Sequence, residues 1–222
     1  MGFFSAALEI AAKDLRVEFK RAYEILSILT FSVSAILICS FAWGGAITTN
    51  PQVTAAALWI ILFFATILTL TTAFTRETDR GTLGGLKTLP CSPAAILFGK
   101  ILYVTTMLLF VTCIVLSFSF VFLNLKIPER SLDFLIIFVL GAVDLAIAGS
   151  FVSALVMFSE GKTLILSFLL FPVCVPVFIP SVLATAKVMT GADVLPELRL
   201  LLAFLFLVIV VSHLTFKFLL EE

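Results

Sequence analysis

Apolar residues run through this chain in long blocks rather than in alternation. Six blocks, at roughly 25–47, 53–74, 93–123, 132–158, 162–188 and 198–219, are almost wholly apolar. A helix of about 20 residues crosses the roughly 30 Å of a bilayer's hydrocarbon, so each block predicts a membrane span. Transmembrane β-strands would alternate apolar and polar positions, and these blocks do not, which excludes a closed barrel. The expected fold is an all-α, six-helix integral membrane bundle, a single domain over residues 1–222.

A different pattern precedes the first block. Over residues 3 to 22, Phe4, Leu8, Ala11, Leu15 and Phe19 recur at helical spacing, while Glu9, Lys13, Arg16 and Lys20 take the other side. This predicts an amphipathic helix within 1–24, either lying along the membrane interface among the lipids or resting on a partner protein.

Composition agrees with the blocks: 62% of residues are hydrophobic, 13% are charged, and 24 are Phe. The net charge is zero with no long basic run, which leaves nucleic acid without support as a partner. Six spans return the chain to the side it started from, so both termini share a side. On that side fall Lys13, Arg16, Lys20, Arg21, Arg76, Arg80, Lys87, Lys100, Lys162 and Lys217; the other side has Lys126, Arg130, Lys187 and Arg199. Ten against four predicts cytoplasmic termini in the cytoplasmic (inner) membrane. The first residues are charged throughout, so no secretory signal peptide is expected. Cys39, Cys91, Cys113 and Cys174 show no CxxC spacing, and neither a disulfide framework nor a zinc site is expected.

Within the spans, four features stand out. Pro172, Pro176 and Pro180 are four residues apart and share a helical face. Each lacks an N–H and collides with the carbonyl four residues back, which predicts a broken helix, read as a hinge or a half-helix turning back, or else a passive kink. Asp144 sits mid-span, where a carboxylate costs at least about 2.5 kcal/mol, so a structural hydrogen bond to a neighbouring helix is expected, the alternative being a functional site. Ala142, Ala146, Ser150 and Ala154 form a small-residue stripe suited to close helix approach. His213 is the single histidine and is read as a core or interfacial residue rather than a metal or haem ligand.

Several chemistries lack their residues. Gly161, Lys162 and Thr163 resemble the end of a phosphate-binding loop, but Val156 stands where its first glycine belongs, so the chain is not expected to hydrolyse nucleotide itself. No nucleophile elbow, HExxH or clustered acidic ligands occur. No catalytic or metal-binding residue is assigned, and an enzyme is the minority reading.

Polar chemistry is concentrated in residues 75–92, between the second and third blocks. Arg76, Glu77, Asp79 and Arg80 end the second span, and Gly81 permits a turn. A weak surface helix with Leu83, Leu86 and Leu89 on one side would need a surface to dock on. Ser92 and Pro93 restart a helix as N-cap and first residue, and Lys100, two turns in, can run its stem back toward water. The loop is read as a docking handle, against an ordinary solvated loop.

The order Glu77, Asp79, Gly81, Leu83, Leu89, Ser92-Pro93 and Gly99-Lys100 resembles the loop of ABC-2-type permeases that couples to an ATPase subunit. Length, span count, the amphipathic start and the run FPVCVPVFIP are similar to the CcmB family (haem exporter protein B) of cytochrome c maturation. Lys87 and Gly84 depart from that pattern. The resemblance implies an ABC-2-type bundle acting as a non-catalytic permease subunit, 75–92 being its coupling loop. Its partners would be a CcmA-like ATPase, CcmC-like and CcmD-like membrane proteins and, for a two-half pathway, a second copy. ATP would act only through the ATPase, and haem would be a handled ligand, exported or released with a chaperone, rather than a resident cofactor. An ABC-2 exporter of lipid, drug or glycan is the alternative.

Overall fold

A computed structural model describes residues 3–20, 22–44, 50–71, 93–125, 128–156 and 161–219. These residues form seven helices and no strand: α1 (Phe3–Lys20), α2 (Ala22–Trp43), α3 (Pro51–Leu70), α4 (Pro93–Phe122), α5 (Ser131–Val156), α6 (Lys162–Met189) and α7 (Leu195–Leu219). The six from α2 to α7 are long and apolar enough to cross a bilayer. The expected spans hold, with described ends displaced by about one turn, the usual uncertainty of helix termini.

Helix starts follow local chemistry. Before α3, the Asn50 side chain accepts from the backbone N–H groups of Gln52 at 3.0 Å and Val53 at 3.4 Å, and Pro51 occupies the first helical position. Before α6, Gly161 takes φ +72°, a left-handed turn that suits glycine.

The bundle has central and flanking members. Two thirds of the apolar window of α3 and of α5 is buried, against 22% for α2 and α7. α5 packs on α4, α6 and α7, while α3 packs on α2, α4 and α6, so these two helices carry the core. The small-residue stripe lies inside it: Ala142, Ala146, Ser150 and Ala154 are all buried within the protomer. It is therefore spent on packing α5 against its own neighbours.

Of the readings of the proline run, the half-helix that turns back is not what the structure holds. α6 runs as a single helix from Lys162 to Met189 through Pro172, Pro176 and Pro180, rather than breaking or turning back. In hydrocarbon a broken segment would expose many backbone groups with no water to receive them, whereas a continuous helix gives up only the bond each proline cannot make.

Candidate functional site: the loop anchor and the polar interior

Arg76, Glu77, Asp79, Arg80, Gly81, Leu83, Leu86, Leu89 and Ser92 lie outside the described residues. The structure does describe what the loop is attached to. α3 delivers the chain at Leu70, with Thr71 capping its last turn, and Pro93 opens α4. At 30 residues α4 is about 45 Å long, well beyond the hydrocarbon thickness. α1 lies along its first part. Ring contacts Phe4–Phe98 at 6.2 Å and Phe19–Phe110 at 6.5 Å place the two ends of α1 beside positions about 18 Å apart on α4.

Small residues permit this approach. Ala6, Ala7, Ile10 and Ala11 are buried, and a Cβ on Gly99 would meet the Ala7 carbonyl oxygen at 2.8 Å and the Ile10 Cβ at 2.9 Å. The sequence pattern had placed Phe4, Leu8, Ala11, Leu15 and Phe19 on one apolar side. Phe4, Leu8 and Phe19 are exposed, as a side turned to lipid would be, while the alanine side packs on α4. Two apolar faces exist, and helix–helix packing in a membrane selects the smaller residues because they let backbones come close.

Lys100 differs from expectation. Its side chain is buried, with Nζ 3.8 Å from Asp14 Oδ2 on α1, so it is held across the α1–α4 seam rather than extended to water. Asp14 also lies 3.1 Å from Lys13 Nζ. On the polar flank of α1, Glu9, Lys13, Arg16 and Lys20 line a groove of about 380 Å³ with Ala12 and Val17. The base of the loop is thus a two-helix elbow with a charged outer flank.

Deeper in the bundle, Trp59 is fully buried and locks three helices. Its Nε1–H donates to Thr185 Oγ1 on α6 at 2.9 Å, and its ring stacks on Phe138 of α5 with centroids 5.1 Å apart. Gly141 on α5 leaves room for the same indole: an added Cβ would meet Trp59 Cζ3 at 2.7 Å. A buried indole N–H needs an acceptor, a sequence-level signal that Trp59 would be tied to another span.

Asp144 is 1% exposed, and neither carboxylate oxygen has a hydrogen-bond partner among the described residues. The expected bond to a neighbouring helix is not made. The adjoining positions Ile147 and Ala148 pack against Val173 of α6 and Phe204, Leu205 and Val208 of α7, all apolar. Ser150, Ser153 and Ser181 are likewise buried with hydroxyls that find no partner among the described residues.

On the far side from the termini, Lys187 Nζ donates to Glu197 Oε1 at 2.6 Å, clamping α6 to α7. Arg130 reaches both Asp133 at 3.8 Å and Asp193 at 3.9 Å, joining the start of α5 to the α6–α7 turn. Neither pairing was foreseen, since both depend on which turns meet. His213 falls in the last third of α7. Among the described residues no three His, Cys, Asp or Glu side chains converge as a metal site would require.

The CcmB protein family matches residues 5–221, nearly the whole chain. The chain belongs to the CcmB family. That makes it a multi-pass membrane protein and a permease subunit of a haem-export ABC system, consistent with six apolar helices. A comparison with curated proteins gives no match.

Proposed function

We propose that this CcmB-family permease converts ATP hydrolysis by a separate ATPase subunit into haem export, or release of a haem-loaded chaperone, during cytochrome c maturation. Membership over residues 5–221 carries this reading. Support comes from the elbow at the base of the 75–92 loop, where α1 and the head of α4 share a packed, charged seam suited to receiving a partner's motion. The partners are a CcmA-like ATPase on the loop and CcmC-like and CcmD-like membrane proteins alongside the spans, in the inner membrane with both termini cytoplasmic. Two copies of the permease would frame the pathway. Haem is handled, not resident: the single histidine leaves the chain without a histidine pair to ligate it.

Deletion of the gene tests the assignment. Covalent haem in c-type cytochromes should disappear, and undiminished haem staining would overturn it. The coupling role is tested by Glu77→Ala combined with Leu86→Asp, which should abolish co-purification of the ATPase from gently solubilised membranes while insertion persists. Full activity in that double variant would remove the loop assignment.

A further inference from the structure

α1 divides its surface three ways. At 3.6 residues per turn, the buried Ala6, Ala7, Ile10, Ala11 and Glu18 fall on one side, turned to the bundle. The exposed remainder forms two arcs. Phe4, Leu8 and Phe19 lie within about 60° of one another, and Glu9, Lys13, Arg16 and Lys20 fill an equal arc next to them.

The charges of α1 are sorted by sign. Asp14 and Glu18 turn inward, Asp14 reaching Lys100 across the seam and Glu18 fully buried. Facing outward are three cations and one acid, a surplus of two positive charges on one flank. Lys13 is partly answered by Asp14 at 3.1 Å, whereas Arg16 and Lys20 have no ion pair among the described residues. With Glu9, Ala12 and Val17 these cations line the groove of about 380 Å³, which has room for a phosphate together with the alcohol it carries.

α2 supplies a depth scale for this flank. Of the two Trp and two Tyr in the chain, Trp59 and Tyr103 are buried while Tyr23 and Trp43 are exposed. The exposed pair stands 20 residues apart on α2, about 30 Å, which is the thickness of bilayer hydrocarbon. Exposed Trp and Tyr gather at membrane–water boundaries, so Tyr23 marks the boundary on the side of the termini. α1 ends at Lys20, three residues before it, which sets Arg16 and Lys20 at the level of the headgroups. α4 agrees: it is joined to α2 at the far end by the Ser40–Phe122 bond, and about 30 Å back from Phe122 lies Leu102, two residues from the Lys100 that α1 holds.

We propose that Lys13, Arg16 and Lys20 form a site for the headgroup phosphate of an anionic phospholipid, whose acyl chains run past Phe4, Leu8 and Phe19. Arg16 offers a fork for two phosphate oxygens, and Lys20, one turn on, a point charge. The surplus of positive charge selects a lipid of net negative charge over a zwitterionic one, whose own ammonium these cations repel. A protein seated on this flank would have to cover Phe4, Leu8 and Phe19 as well, whereas lipid covers both arcs at once.

The test uses the full chain in neutral detergent, titrated with dioleoylphosphatidylglycerol or dioleoylphosphatidylcholine, with bound lipid counted by native mass spectrometry. Phosphatidylglycerol should be held on the order of thirtyfold more tightly at low salt, and the preference should fade as salt rises. Arg16→Gln with Lys20→Gln should abolish the preference while leaving the melting temperature unchanged. Glu9→Gln, which removes the one acid of the groove, should tighten phosphatidylglycerol about fivefold, a gain that damage to the fold cannot produce. Equal retention of the two lipids by the unaltered chain would overturn the proposal. So would an unchanged preference in the double variant, and loss of a co-purifying protein from native membranes in that case would assign the flank to that protein. Millimolar inorganic phosphate should not displace the lipid; displacement would mean a site for free anions and reject the lipid. Were the double variant to unfold, Glu9→Gln decides, and no tightening there rejects the site.

Discussion

The central helices α3 and α5 and the flanking helices α2 and α7 are alike in hydropathy and unlike in surroundings. Their apolar windows have mean hydropathy between 2.3 and 2.4, yet burial is 67% for the central pair and 22% for the flanking pair. In water the buried helix would be the more apolar one. In a bilayer lipid is as apolar as a leucine core, so hydrophobicity does not choose the inside. On α5 residue size does much of the choosing, whereas α3 buries Leu58, Trp59, Leu62 and Leu70. α5 buries Gly141, Ala142, Ala146, Ala148, Gly149 and Ala154, while α7 turns Leu200, Leu202, Phe206 and Leu207 outward.

The sharpest way to break this contrast is to enlarge the inside. Gly141→Leu should destabilise by more than about 3 kcal/mol, since even a Cβ there collides with the Trp59 ring, and thermal unfolding in detergent would read it. Trp59→Phe should cost about 1–2 kcal/mol in the same assay, because Thr185 loses the indole donor while most of the ring volume stays. Asp144→Val, which removes a buried acid with no partner among the described residues, should raise stability by about 1 kcal/mol; a fall instead would mean that the acid is bonded in the membrane. Haem attachment measured on that variant separates a working role from a structural one. Phe206→Ala on the outer face should change stability by less than about 0.5 kcal/mol, and a larger loss would mean that α7 is covered by protein rather than lipid.

The six spans and the extra N-terminal helix were legible from block length and helical spacing alone, because backbone groups in hydrocarbon allow few alternatives to a helix. Which face of each helix turns inward was not. Phe4, Leu8 and Phe19 formed the more obvious apolar stripe of α1, yet Ala6, Ala7 and Ala11 are the residues buried against α4, while Phe4 and Phe19 touch it only at their rings. Lys100 shows the same limit. Its helical position was clear, but its pairing with Asp14 depends on two helices meeting across 86 residues of chain. The proline run left a hinge, a half-helix and a passive kink open, and the continuous α6 sets aside the half-helix, because the cost of interrupting a helix in lipid falls on all its neighbours. Asp144 was expected to bond a neighbouring helix, yet it is buried with no hydrogen-bond partner among the described residues.

The length of α4 has a mechanical consequence. About 45 Å of unbroken helix, roughly 15 Å more than the hydrocarbon needs, leaves its first turns standing clear of the acyl chains. Those turns are splinted by α1 through Gly99 and the Asp14–Lys100 contact, and at the other end the Ser40 hydroxyl of α2 holds the Phe122 carbonyl at 2.7 Å. A rod stiffened at one end and pinned at the other tilts as a unit instead of flexing. A load applied at Pro93 would therefore arrive across the bilayer as a swing of the whole strut, with α2 carried along.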